Sequence, residues 1–295
     1  MSSIRIGAKL PDFGPIVNEV PLVDAALRAE EAGFDSVWTS DHIVMVRKTD
    51  SKYPYSRDGD LTWDPAQPRF DALVAMTAAA TATTHVEVGV AVMIAALRNP
   101  LVLATQLATL DVLSGGRVAF GVGAGWLCEE FEALEVPFKS RGSRLNEWID
   151  IARDCWTGTP RGHVYEHYTL PDDVLCYPTP AHDIPILVGG MSPAALTRAA
   201  LRGNGWLAFQ RADAVDLDAL EAGIATIAGK AAAADRQASR TVLRLTGSLD
   251  LAARAVADLT AIGVHEVIVE VDWKRSDGPR RTIETLRKAA AGRKA

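Results

Sequence analysis

A single (β/α)8 (TIM) barrel with insertion segments is the α/β architecture that the sequence predicts, and three observations carry the prediction. Eight short β-branched stretches, at 4–10, 35–39, 86–93, 117–122, 184–188, 205–209, 241–246 and 266–271, alternate with helix-like stretches without interruption. Several of the stretches end in glycine or small polar residues, as at Ser40-Asp41-His42, Gly121-Val122-Gly123-Ala124-Gly125 and Gly189-Gly190-Met191-Ser192. No shift in composition divides the 295 residues, so 1–295 reads as one domain. A doubly wound open sheet is the competing architecture, but it would need fewer strands and a clearer topological switch point.

Each element has its own justification. The first strand, 4–10, is turned out by Pro11, Gly14 and Pro15. Leu22, Ala25, Ala26, Ala29 and Ala32 mark one face of the next helix, which Gly33 closes. After the second strand, the segment 44–70 is polar and aromatic and shows no periodicity. A connection of that length in a compact domain is expected to be functional, here a lid carrying Tyr53, Tyr55 and Trp63. Asp71 is expected to cap an Ala/Thr-rich helix, and Asn99-Pro100 to open the helix after the third strand. Leu107, Leu110 and Leu113 are expected on one face of that helix, with Gly115-Gly116 as its stop. A helix over 143–156 follows the fourth strand, and 157–180 breaks the rhythm as an insertion, read as a small hairpin. Residues 228–234 read as an Ala-rich solvated helix, and 280–291 as a basic terminal one.

Composition excludes several functions. Hydrophobic residues make up 48% of the chain, ample for a large core, yet no apolar run approaches the ~20 residues of a membrane span. The start, MSSIRIG, enters a strand without a signal-peptide pattern. Net charge is −6 with Lys and Arg scattered, which argues against nucleic-acid or anionic-membrane partners. Cys128, Cys155 and Cys176 are widely spaced without a CxxC, so neither a disulfide framework nor a zinc site is expected. A soluble, reduced, cytoplasmic protein is the expectation.

Chemistry in a barrel belongs at the carboxyl ends of the strands. Reading off those ends gives Asp12, Asp41, His42, 92–95, 123–126, 189–192 and Phe209. Asp41-His42 is the leading polar pair: an imidazole can hydrogen-bond a ring carbonyl or pass a proton, although a capping Asp beside a core His fits as well. Gly189-Gly190-Met191-Ser192, ahead of a helix opening at Pro193, is the phosphate candidate, since N–H groups and the macrodipole favour an anion there. Ser192 could equally cap that helix. The run Gly121-x-Gly123-x-Gly125 either lets a ligand approach the backbone or simply makes a tight strand exit; Trp126 stands where a dinucleotide fingerprint has its third glycine. His163, Glu166 and His167 are read as non-ligands on a strand or loop, Asp58-Gly59-Asp60 as a turn, and no metal is expected.

Several blocks together are more specific than any one of them. LATLDVLSGGRVAFGVGAGW with EEFEALEVPF behind it, and IGAKLPDFG, AEEAGFDSVWTSDH, YPYSRDGD, ALRNPLVLATQLATLD and PILVGGMSPAALTRAALRGNGW around it, resemble the luciferase-like monooxygenase superfamily. The resemblance is greatest to its deazaflavin (coenzyme F420)-dependent oxidoreductase branch, and it covers most of the chain.

That resemblance implies hydride transfer between coenzyme F420 and a small organic substrate. Asp41 and His42 would lie beside the cofactor ring, with Asp12 also in the cofactor site. The phosphate would sit between 189–192 and the turn at Ala124 and Gly125. The resemblance also implies a non-prolyl cis peptide between Ala91 and Val92, with Val92 as a backstop for the ring. Some relatives have a carboxylate as proton donor where this chain has Trp126, so a sugar-phosphate substrate is not supported; Glu129 and Glu130 come only about a turn later, Glu129 being the catalytic candidate, and Trp126 becomes a packing residue or apolar wall. Relatives are commonly homodimers. The rivals are an FMN-dependent monooxygenase on the same barrel and a non-catalytic cofactor-binding barrel.

Overall fold

The computed structural model describes residues 4–56, 58–237 and 240–292. The first three residues of MSSIRIG, Arg57 of the YPYSRDGD block and the last three residues lie outside the described residues. The chain runs β1 (Arg5–Lys9), α1 (Leu22–Ala32), β2 (Ser36–Thr39), α2 (Ala72–Ala82), β3 (Glu87–Met93), α3 (Pro100–Ser114) and β4 (Val118–Val122). It continues through α4 (Cys128–Ala133), α5 (Arg141–Cys155), a hairpin of β5 (His163–Val164) and β6 (Thr169–Leu170), and β7 (Ile186–Gly189). The remainder is α6 (Pro193–Arg202), β8 (Gly205–Arg211), α7 (Leu217–Ala233), β9 (Arg240–Thr246), α8 (Leu249–Ala261), β10 (Glu266–Val269) and α9 (Gly278–Ala291). Eight parallel strands close into a barrel in the order β1-β10-β9-β8-β7-β4-β3-β2. These are the eight stretches expected from the sequence, and the insertion is the expected hairpin.

The local signals act where the sequence places them. Asp71 accepts from the N–H of Val74, and Asn99 from those of Leu101 and Val102, so each caps its helix. Gly115 takes the left-handed conformation, φ 70°, that ends α3. One expectation fails: Leu107 and Leu110 are buried, but Leu113 is 59% exposed. Two steps of three residues each fall short of a full turn and drift off the stripe, and α3 is apolar nearly all round, so spacing alone could not tell its inner face from its outer one.

Two apolar layers build the core. The larger lies between strands and helices; the smaller fills the barrel with Trp38, Ala119, Leu187, Leu207, Val242 and Ile268. Gly7 and Gly89 are required by Trp38, whose ring occupies the space a Cβ at either position would need. The indole N–H of Trp38 is met by Ser36 (2.7 Å) and Glu266 (3.1 Å) at the amino-terminal end of the barrel.

Candidate active site

The opposite, carboxyl-terminal end of the barrel carries a cavity of roughly 1020 Å³. Its wall on the β2-β3-β4-β7 side includes His42, Ala91, Val92, Ala124, Gly125, Trp126, Gly189, Gly190 and Ser192. The peptide between Ala91 and Val92 is cis, and the register of β3 against β4 shifts between Val90 and Met93. A Cβ at Gly123 or Gly189 would run into the Val92 side chain, and one at Gly121 into the Val90 carbonyl. The glycines of this strand exit are therefore needed first by the close packing of β3, β4 and β7.

Asp41 is expected beside a ring, but its carboxylate is taken up by the protein. It accepts two hydrogen bonds from Arg98, both 2.7 Å, and one of 2.9 Å from the N–H of Ile94, with its side chain fully buried. Asp41 thus ties the end of β2 to the segment after β3.

His42 is held by a different residue. Its Nδ1 lies 2.7 Å from Glu130 Oε2, and the other carboxylate oxygen accepts the N–H groups of Ile43 (2.6 Å) and Val44 (3.3 Å). A carboxylate only accepts, so Nδ1 carries the proton and Nε2 is the nitrogen left for the cavity. Glu129, expected as the donor, does not line the cavity. Its Oε1 accepts from the N–H groups of Asp50 (2.6 Å) and Ser51 (3.1 Å) and pins the start of the lid. The sequence does hold a signal for Glu130: it shares the inward stripe of Leu127, Phe131 and Leu134, and a fully buried carboxylate there must have partners.

The lid supplies aromatic walls. Tyr53, Tyr55 and Trp63 all line the cavity. Tyr53 packs against Trp126 with ring centroids 5.2 Å apart, Trp126 meets His42 edge-on at 5.8 Å, and Tyr55 lies 4.2 Å from Phe209. Burial, helped by Tyr53, pushes the Tyr55 phenol up to about 12, so it remains a neutral wall. Arg69 stacks over Phe13 (4.7 Å) and Trp63 (5.2 Å), and among the described residues its buried Nη1 has no hydrogen-bond partner.

Two loops, at 124–126 and 189–192, line the same cavity. Ser192 caps α6 through Ala195 (3.2 Å), but its own O–H remains able to donate. Among the described residues, no hydrogen bond engages the N–H groups of Ala124, Gly125, Trp126, Met191 or Ser192. The Met191 side chain instead packs on the core and does not line the cavity. Two cations missed by sequence reasoning stand here. Arg141 reaches the Gly125 carbonyl (3.2 Å), and Arg198 reaches Asn146 (2.6 Å) and the Gly142 carbonyl (3.0 Å). Their signal was faint: Arg198 sits on the buried stripe of α6 with Ala195 and Ala199. Asp12 lies away from these loops, buried, paired with Lys9 and accepting the N–H of Ser40 (2.5 Å).

Among the described residues His163 lies exposed on β5, while His167 bonds Ser143 (2.7 Å), so the two histidines do not form a pair of ligands. Gly59, with φ 82°, and the bond from Asp60 N–H to Asp58 (3.0 Å) make the expected turn.

The family profile described as luciferase-like monooxygenase matches residues 19–294. The chain belongs to this family. Among luciferase-like relatives, an uncharacterized protein of Mycobacterium tuberculosis is 38% identical over 188 residues, 64% of each chain. An F420-dependent glucose-6-phosphate dehydrogenase of Amycolatopsis mediterranei is 33% identical over 211 residues, 70% of this chain and 57% of that one. The matched stretch thus spans less than two thirds of these curated relatives. The structure of an F420-dependent secondary alcohol dehydrogenase with an F420–acetone adduct superposes with a TM-score of 0.76 at 18% identity. That match covers 97% of this chain and 99% of the dehydrogenase, and at such identity it establishes the luciferase-like fold alone.

Proposed function

We propose that this luciferase-like protein is an F420-dependent oxidoreductase acting on a small organic substrate beneath the 44–70 lid. The observation that carries the reading is that one cavity wall holds both unpaired N–H groups at 124–126 and 191–192, with Arg141 and Arg198 beside them, and His42. An anionic tail and a ring of one cofactor would bridge the two. The deazaflavin dependence named for the Amycolatopsis relative supports coenzyme F420 over FMN. An FMN-dependent monooxygenase is the second reading, because the family description names a monooxygenase and the same cradle would hold FMN.

A bound deazaflavin would supply the hydride acceptor or donor, which no side chain offers. The chain's own residues do the rest. Glu130 fixes the His42 ring and tautomer, so that Nε2 gives or takes the substrate proton. Asp41 and Arg98 hold the backbone after β3 in place, and Val92, which lines the cavity, would support a bound ring. Tyr53, Trp63 and Trp126 exclude water above it. Titrating the apo protein with F420 and with FMN, each followed by fluorescence quenching, is the test. F420 should bind at least tenfold more tightly; preferential FMN binding would move the assignment to the second reading.

We also propose that residues 1–295 act as one domain in a cytoplasmic homodimer. Strands from both ends of the chain close the barrel, which supports one domain. No helix of the described residues is long and apolar enough to cross a membrane. For the dimer, α2 carries no charged residue, and Val74 (69% exposed), Val102 (57%) and Leu113 (59%) leave apolar surface on α2 and α3. Light scattering should give twice 31.6 kDa, and Val102→Asp with Leu113→Asp should halve it; a monomeric wild type would refute the dimer.

A further inference from the structure

Among the described residues seven Lys or Arg side chains but four Asp or Glu line the cavity, in a chain whose net charge is −6. Arg141 and Arg198 account for two of the cations, at the cradle assigned above to the cofactor tail. The excess does not end there. Across the barrel mouth, on the β1, β9 and β10 side, Lys9 and Arg244 form a second cationic end, with side chains 8% and 10% exposed.

The carboxylates near them are unequal. Asp12 is 1% exposed, pairs with Lys9, and also receives the N–H of Ser40 at 2.5 Å. Glu270 meets Arg244 Nη2 at 2.5 Å, yet its side chain is 45% exposed, so water screens most of its charge. Among the described residues the buried Arg244 Nη1 has no hydrogen-bond partner. Burial pulls the Lys9 ammonium below its ordinary value, and Arg244 lies near enough to lower it further. The deeply buried groups therefore sum to one uncompensated positive charge, and a buried guanidinium nitrogen without a partner is costly. Between this end and His42 stand the flat apolar walls of Tyr53, Tyr55 and Phe209.

We propose that the substrate carries a carboxylate, received by Arg244 with Lys9 behind it, while its apolar body lies among the lid aromatics. A monoanion matches a single uncompensated charge; a phosphate dianion would exceed it. The proposal deepens the functional reading above and rests on it for what happens to the bound substrate, but the anion preference is measurable without cofactor. The probes are three acids, benzoate, 4-phenylbutyrate and decanoate, each against its own neutral amide. Binding is followed by calorimetry on apo and F420-loaded protein.

In wild type at least one acid should bind tenfold or more tightly than its amide. Arg244→Gln should bring that ratio close to one while leaving F420 affinity within twofold. Glu270→Gln, which removes the competing counter-ion without touching Arg244, should tighten acid binding several-fold. Equal binding of every acid and its amide, or a ratio that survives Arg244→Gln, would overturn the proposal. If Arg244→Gln does not fold, Glu270→Gln decides: unchanged or weaker acid binding counts against it. Loss of F420 binding with the acid preference intact would strike the cofactor reading alone.

Discussion

Replacing His42 with Ala is expected to lower turnover by about 10²–10⁴-fold, the range that a positioned proton donor or acceptor supplies. Little stability should go with it. The imidazole sits at a strand end with its side chain 13% exposed, and Glu130 would keep the N–H groups of Ile43 and Val44 as donors. Cofactor affinity should change by less than the rate, because the N–H groups and arginines of the tail cradle are left unchanged by the substitution. Glu130→Gln provides the companion measurement. It keeps the volume but loses the carboxylate that fixes the His42 tautomer, so turnover should fall about tenfold or more and the pH–rate profile should shift. A His42→Ala enzyme with unchanged turnover and a lowered melting temperature would assign His42 to packing.

The largest stability effect is expected at the other end of the barrel, from Glu266→Ala. Glu266 is fully buried at the start of β10. One oxygen meets Ser36 and the Trp38 indole, and the other meets Arg240 and Arg5 (3.2 Å). Glu87 also contacts both arginines, at 2.7 Å from Arg240 and 3.5 Å from Arg5. Removing the central carboxylate takes away the acceptor of the Ser36 O–H, leaves the Trp38 N–H to Ser36 alone, and leaves Arg240 with Glu87 as its one carboxylate. Breaking such a buried network typically costs about 3–5 kcal/mol. Chemical denaturation should report a loss of that size, while turnover of the folded fraction stays near wild type because the cavity lies at the opposite barrel end. A loss below about 1 kcal/mol would show that the neighbouring groups reorganise around the gap.

Local order alone determined a good deal of this protein. Strand periodicity placed all eight barrel strands, and Asp71, Asn99, Ser192 and Gly115 act where they stand, because a cap or a helix stop is satisfied within three or four residues. The blocks that resemble the luciferase-like family located the Ala91–Val92 bond for the same reason: they are contiguous words. Tertiary structure decided where each charged side chain turns. Glu129 and Glu130 are neighbours in sequence but about 100° apart around α4, so one pins the lid and the other holds His42. Asp41 finds its counter-ion 57 residues away in Arg98, a pairing that braces β3 and that the sequence order does not show. Arg141, Arg198 and Arg244 come together around one cavity from α5, α6 and β9. A hydrophobic pattern is read along the chain, whereas a charge is satisfied through space, and barrel closure brings those distant partners within a few ångströms of one another.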